Sequence, residues 1–357
     1  MIAQFAPTDI GPPHYWDKMP KMSQENYGQW QYHEELKPGV LKHVGPKGAL
    51  YTVRVASPRL LSIETLRWFA EIADKYCEGK LRFTSRHNVE FLTEKEENIE
   101  PMIAELEAEG WPVGGTGKSL KNILHTQGWV HCHSAATDAS GTVKAVMDDL
   151  FEYFKKDDLP AKLKVSMACC LNMCGAVHCS DIAWVGIHRK IPRVNDAEVA
   201  NSCEIPNIIA SCPKAAIRPN PKAKSVTIDE SKCMYCGNCF SVCPALPIAD
   251  PDNDGIAIFV GGKVSNARTA PTFSKLAVPF IPNEPPRWDT LVQTIRHLVE
   301  IWVEGARKGE RYGEWIERIG WEKFFEIAGL EFTDKHIDDF TFSVKTYHVG
   351  NGFKFTK

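Results

Sequence analysis

Cys233-Met-Tyr-Cys236-Gly-Asn-Cys239-Phe-Ser-Val-Cys243-Pro244 is the most specific stretch of the chain. Thiolates three residues apart in a loop wrap three corners of an iron–sulfur cubane, and a remote cysteine completes it. A zinc ribbon also uses paired cysteines, but it does not ask for three thiols at this spacing followed by Cys-Pro. The sequence therefore predicts a cubane. Twelve cysteines occur in all, and ten of them fall between residues 169 and 243. A disulfide scaffold would spread its bridges through a short secreted chain. This chain has 357 residues and 43% apolar content, enough for ordinary cores and two or three domains.

The remote ligand can be located. In two-cluster ferredoxins the fourth cysteine of such a run serves the other cluster. The partner of Cys233, Cys236 and Cys239 is then a separate Cys-Pro, which Cys212-Pro213 supplies upstream. A complete second run before Cys212 would place cysteines at 202, 205 and 208. The chain has Ser202, Ile205 and Ile208 there, and Cys203 is out of register. One cubane, not two, is expected in an inserted small domain over residues 203–262. Cys243 is left without a partner, in a structural place.

Residues 167–179, MACCLNMCGAVHC, hold a second group of Cys169, Cys170, Cys174 and Cys179, with Cys132 upstream. Adjacent cysteines point in different directions in any regular element. Cys169 and Cys170 can therefore share a metal site only in an irregular loop, which Asn172 and Gly175 permit. Buried free thiols are the plain alternative, though four in eleven residues are hard to assign to packing.

Outward from these groups the chain divides in five. Residues 1–45, rich in Pro, Gly, Tyr and Trp, read as an irregular arm. In residues 46–118, Leu50–Val55 alternates like a strand and Ser62 can cap a helix that stops at Gly79. Strands at Lys80–Thr84 and Val89–Thr93 and a helix from Asn98 to Glu109 follow, giving a ferredoxin-like α/β half-domain. The segment GGTGK (114–118) is too short for the phosphate loop Gly-x4-Gly-Lys-Ser/Thr and reads better as a tight turn whose amides face an anion. Residues 119–202 carry a helix at Thr142–Phe154 and a strand at Lys162–Met167. After the insert, residues 263–357 hold amphipathic helices at Trp288–Arg307, with Asp289 as cap, and at Tyr312–Ile327. The apolar face of the first serves either the core or a subunit interface.

Cys170-Leu-Asn-Met-Cys174-Gly resembles the Cys-Pro-Asn-x-Cys-Gly signature of the sulfite and nitrite reductase family. LPAKLKVSMACC (159–170) is similar to the family's Leu-Pro-x-Lys-x-Lys segment, and LRFTSRHNVEF (81–91) to its Arg-x-Thr-x-Arg-Gln strand. An inserted ferredoxin domain resembles the dissimilatory type, and Cys132…Cys169-Cys170-x3-Cys174 resembles the beta-subunit pattern. The resemblance runs from about residue 40 to the end and departs from the assimilatory Cys-x5-Cys pair, since Cys132 stands alone.

The resemblance implies an α+β fold in which the half-domain is joined to a sirohaem and 4Fe–4S α/β domain, with the insert and C-terminal helices. It implies sirohaem and two 4Fe–4S clusters. Cys132, Cys169, Cys170 and Cys174 would hold the sirohaem-coupled cluster, and Cys174 would also bridge to the sirohaem iron. Arg82, Arg86, His87, Lys162 and Lys164 would face anions: sulfite and the carboxylates of sirohaem. Because this chain is one half of the assimilatory arrangement, those cations would line a second, equivalent pocket, while an alpha subunit supplies the sulfite-facing set. Trp111 is either a block in that second pocket or a core ring.

The implied function is a six-electron interconversion of sulfite and sulfide-level sulfur, with the insert's cluster as the wire. The implied partners are an alpha subunit, in an α2β2 assembly, and a small sulfur-accepting protein with a cysteine-bearing C-terminal arm. A carrier without sirohaem would explain the insert but not Cys169-Cys170-x3-Cys174; a sirohaem nitrite reductase is the nearest enzymatic rival. Lysine plus arginine number 42 against 45 aspartate plus glutamate, a net charge of −3, which argues against nucleic-acid binding. No apolar run nears the ~18 residues of a membrane span. The start, MIAQFAPTDIGPPHYW, has no signal-like n- and h-regions. A soluble cytoplasmic chain is expected.

Overall fold

The structure is a computed structural model and describes residues 16–336. The chain forms two units. One runs to Ile123 and takes back Leu150–Lys164; the other holds Leu124–Asp149 and the chain from Val165 onward. The strands are β1 (Tyr32–Lys37), β2 (Val40–Gly45), β3 (Gly48–Val55), β4 (Leu81–Phe83), β5 (Val89–Thr93), β6 (Leu124–His125), β7 (Val165–Ala168), β8 (Ile182–Ile187), β9 (Ile217–Asn220), β10 (Ser225–Ile228), β11 (Gly255–Val260) and β12 (Lys275–Pro282). With the helices between them they make the expected α+β chain.

The first unit is built on an antiparallel sheet in the order β1-β2-β3-β5-β4. Val40, Val53, Val55, Val89 and Phe91 turn inward from it against Phe69 and Ile72 of helix Ile63–Cys77 and Met102 and Leu106 of helix Ile99–Ala108. Ser62 caps the first helix as its position predicts, its hydroxyl accepting from the Thr65 amide at 3.0 Å. The irregular arm is overturned over Tyr32–Gly45, which is a hairpin extending the sheet. Its outer strand is mostly exposed and polar, so no hydrophobic alternation marks it. Residues 1–15 of that arm lie outside the described residues.

The expected boundary at residue 118 also moves. Leu150–Lys164 returns to the first unit, where Leu120 and Leu163 pair in parallel and the Gly115 amide donates to Phe154 O at 3.0 Å. The helix expected over Thr142–Phe154 accordingly breaks at Leu150 into Ala139–Asp149 and Phe151–Lys155.

The second unit carries a mixed sheet, β12-β11-β8-β7-β6, parallel from β6 to β8 and antiparallel beyond. Strands β7 (VSMA) and β8 (IAWVGI) are buried along almost their whole length, as the continuous apolar runs of a two-sided strand require. Helix Asp289–Gly305 buries Leu291, Ile295, Leu298, Val299 and Trp302, so its apolar face serves the core. Asp289 is its first residue rather than its cap, a place taken by Trp288. Gly320 divides the next helical stretch into Tyr312–Ile319 and Trp321–Ala328. Among the described residues no helix is long and apolar enough to cross a membrane.

Strand β11 pairs with β8 in the main sheet, so the insert closes at Asp254 and not at 262. Its two ends are zipped by Arg193 N to Pro247 O at 2.9 Å and Asn195 N to Ala245 O at 3.1 Å. Val199, Ile208, Ile217, Val226 and Leu246 form its core beside the β9–β10 hairpin. Here the structure corrects the place of Cys243, which is bonded to Cys203 in a disulfide. The two residues cap the C-terminal ends of helices Asp196–Ser202 and Asn238–Val242, with Cα atoms 5.7 Å apart. A separation of 40 residues hides that pairing from the sequence.

Candidate functional site

Within the insert, Cys212, Cys233, Cys236 and Cys239 line one recess, together with Pro192, Pro213 and Ile217. Cys212 follows helix Ile205–Ala210, and Cys233 and Cys236 lie on a loop that turns at Tyr235 and Gly237, both left-handed. Gly237 then starts the short helix that carries Cys239. Backbone amides point at the sulfurs: Ala216 N lies 3.2 Å from Cys212 Sγ, and Tyr235 N 3.4 Å from Cys233 Sγ. Burial pushes the thiols of Cys233 and Cys236 up, and that of Cys239 up to about 12. Thiolates crowded there need a cationic centre to offset them, and N–H···S contacts are what a cubane receives from its protein. The four residues singled out by spacing thus meet around one space, and their donor set fits the group.

In the second unit, the chain leaves β7 into the Cys169-Cys170 turn. The Cys169 amide donates to Thr126 Oγ1 at 2.9 Å, and its carbonyl accepts from Ala136 N at 2.8 Å. Ser134 Oγ stands between Cys132 Sγ, at 3.5 Å, and Cys170 Sγ, at 3.7 Å. The neighbouring thiols are hydrogen-bonded to one another. The hydrogen bond from Cys169 brings Cys170 down to about 6, while the same bond and burial raise Cys169. Met173 turns the loop at φ 50°, and Cys174 comes out exposed. Gly175 follows because a Cβ there would stand 2.4 Å from Met167 O. Cys132, Cys169 and Cys170 are therefore brought together with Ser134, and Cys174 faces outward from the same loop. Among the described residues, no three His, Cys, Asp or Glu side chains converge as a single metal ion requires.

The first unit holds the predicted cations. Arg82 Nε donates to Glu90 Oε2 at 2.6 Å and Arg54 Nε to Glu90 Oε1 at 2.7 Å. Burial raises the Glu90 carboxyl, but the two guanidinium groups outweigh it and hold it below its usual range. Arg86 and His87 sit on the β4–β5 turn, with His87 at φ 63°. Lys162 and Lys164 flank buried Leu163. Lys121 is buried, donates to Gly117 O at 2.6 Å and is brought down to about 7, mainly by burial, with Arg54 and Lys162 adding to the effect. The 114–118 turn meets the chain's own anions: Thr116 bonds Glu35, and the Lys118 amide bonds Asp157. Trp111 packs edge-on against Phe69, centroids 4.8 Å apart, beside the first unit's core. Lys121, Arg54, Glu90 and Glu35 were missed. Lys121 lies three residues beyond the 114–118 turn.

Two family models cover most of the chain. The nitrite/sulfite reductase ferredoxin-like half domain matches residues 43–109, and the nitrite and sulphite reductase 4Fe-4S domain matches residues 116–336. A dissimilatory-type sulfite reductase subunit beta of Archaeoglobus fulgidus is 53% identical over 95% of both chains. The chain belongs to that beta-subunit family. A second member, from Nitratidesulfovibrio vulgaris, is 51% identical over 98% of this chain and 95% of its own. Alpha subunits of the same enzyme match at lower identity. The fold matches a crystal structure of dissimilatory sulfite reductase I at a TM-score of 0.81, with 20% identity over 92% of this chain and 84% of that one. Like its family, the chain is an oxidoreductase of the sulfite reductase type.

Proposed function

We propose that this chain is the catalytic beta half of a dissimilatory-type sulfite reductase, pairing with an alpha subunit as α2β2 in the cytoplasm. The reaction interconverts sulfite and sulfide-level sulfur with six electrons. One observation carries the reading: two separate groups of cysteines, Cys132–Cys169–Cys170 with Cys174, and Cys212–Cys233–Cys236–Cys239, stand in one chain. A carrier has use for the second group alone.

Sirohaem coupled to a cubane supplies an electron-rich centre that binds sulfur. Cys132, Cys169, Cys170 and Cys174 would hold that cubane, with the exposed Cys174 as the thiolate that would couple it to sirohaem. The hydrogen bond from Cys169 lowers the Cys170 thiol, which favours the thiolate that ligation demands. Cys212, Cys233, Cys236 and Cys239 would hold the second cubane, whose chemistry would be electron delivery. Arg82, Arg86, His87, Lys162 and Lys164 would line the second, equivalent pocket and offer charge-assisted hydrogen bonds to carboxylates of a sirohaem there. Glu90 orients Arg82 and Arg54 for this, and Lys121, brought down to about 7 mainly by burial, would hold its proton more tightly beside an arriving anion. The sulfite-facing cations of the working centre come from the alpha subunit. The released sulfur passes to a small protein with a cysteine-bearing arm.

The test is a visible spectrum with iron and acid-labile sulfide counts on the chain purified with its partner. Sirohaem bands and iron beyond one cubane support the reductase, and Cys174→Ser should then remove the coupled centre while leaving the insert's cubane. Iron–sulfur absorption without sirohaem, at one cubane of iron, makes the chain a carrier.

A further inference from the structure

Behind the Cys132 loop lies an ion pair that no ligand set requires. His188 follows the end of β8, and Asp254 precedes β11, so the pair sits where the insert leaves and rejoins the main sheet. Both side chains are almost completely buried. His188 Nδ1 lies 2.8 Å from Asp254 Oδ2, and Nε2 lies 3.0 Å from Ser134 O. A backbone carbonyl only accepts, so Nε2 carries a proton. A second proton lies between Nδ1 and Asp254 Oδ2. Two amides settle where it resides: Arg189 N donates to Oδ1 at 3.2 Å and Asp250 N to Oδ2 at 2.9 Å. Donors aimed at both oxygens favour the ionised carboxylate, which leaves His188 doubly protonated.

The cationic end of this pair faces the cysteines. Ser134, whose carbonyl His188 binds, places its hydroxyl between Cys132 and Cys170. Asn283 adds a second tie, donating to Ala136 O at 2.8 Å and Asp254 O at 3.0 Å. The carboxylate lies on the far side of the ring. A buried dipole with its positive end toward a thiolate group acts strongly, because little solvent screens it.

We propose that His188, held as an imidazolium by Asp254, is a positioning residue for the Cys132–Ser134 loop and that its charge raises the reduction potential of the cubane held there. This rests on the ligand assignment of the reductase reading. Reduction adds one electron to that cubane, and a nearby fixed cation favours the more negative state.

The experiment is an EPR-monitored redox titration of the assembled enzyme, with the insert's cubane as internal reference. The variant His188→Gln/Asp254→Asn keeps a donor for Ser134 O and buries no net charge. At wild-type iron content and sirohaem spectrum, the midpoint of the coupled cubane should fall while that of the insert holds. Asp254→Asn alone, which leaves a ring but no anion to retain its second proton, should lower it too. An unchanged or raised midpoint in these variants overturns the proposal. So does loss of the coupled cubane in both, since the pair would then be structural only. Absence of sirohaem from the wild-type enzyme instead sinks the functional reading, before any variant is compared.

Discussion

Lys121 carries the largest electrostatic burden on the cationic face. Burial brings its amine from 10.5 to about 7 in the folded chain. Between those values the unfolded chain binds the extra proton, so this group makes stability rise with pH across that window. Below it the full cost applies, on the order of 5 kcal/mol for a shift of this size. Lys121→Met should therefore be more stable than the wild type near neutral pH, and the gap should close toward pH ~10. Denaturant titrations at both ends of the window check this; a gap independent of pH refutes it. The metal-site candidates were legible at this scale because cubane ligation imposes a short repeat, visible in Cys233, Cys236 and Cys239. Lys121 and Glu90 were not, since their character comes from which segments close over them.

At the scale of elements, β8 lies so close to the turn after β7 that a Cβ on Gly186 would stand 2.1 Å from Cys169 O. Gly186→Ala must push the cysteine turn away from the strand. Forced overpacking of this kind costs about 1–3 kcal/mol. We expect a lowered melting temperature together with reduced iron per chain; a normal iron content at lowered stability would uncouple the strand from the cysteine turn. Strands and helices with a clear period were legible: Gly48–Val55, Ile63–Cys77 and Asp289–Gly305 fall where the patterns put them. The β1–β2 hairpin was not, because an edge strand reading Tyr-His-Glu-Glu-Leu-Lys buries too little to leave a pattern. The insert's end was misplaced for the opposite reason. Ile256–Val260 is apolar enough for either core, and only its pairing with β8 decides.

For the whole molecule, the Cys203–Cys243 bond closes a loop around the insert, both residues belonging to or packing on its core. A 40-residue closure is worth about 4 kcal/mol in the chain-entropy account. Cys203→Ser should lower the denaturation midpoint of the insert, and reductant should do the same to the wild type but not to the variant. Equal sensitivity of both to reductant would exclude the bond as its cause. Cys243 is completely buried, which shields the bond from reductant while the insert stays folded. The chain also crosses between its units at Ile123, Asp149 and Lys164, before settling in the second. On a ribosome adding about 5–20 residues per second, the first unit waits about 2–8 s after its 123rd residue for the segment that completes it. During that interval the sheet of the first unit is complete but the GGTGK turn lacks Asp157 and the Phe154 that packs behind it, so this is a stage of synthesis at which a chaperone has an uncovered flank to protect.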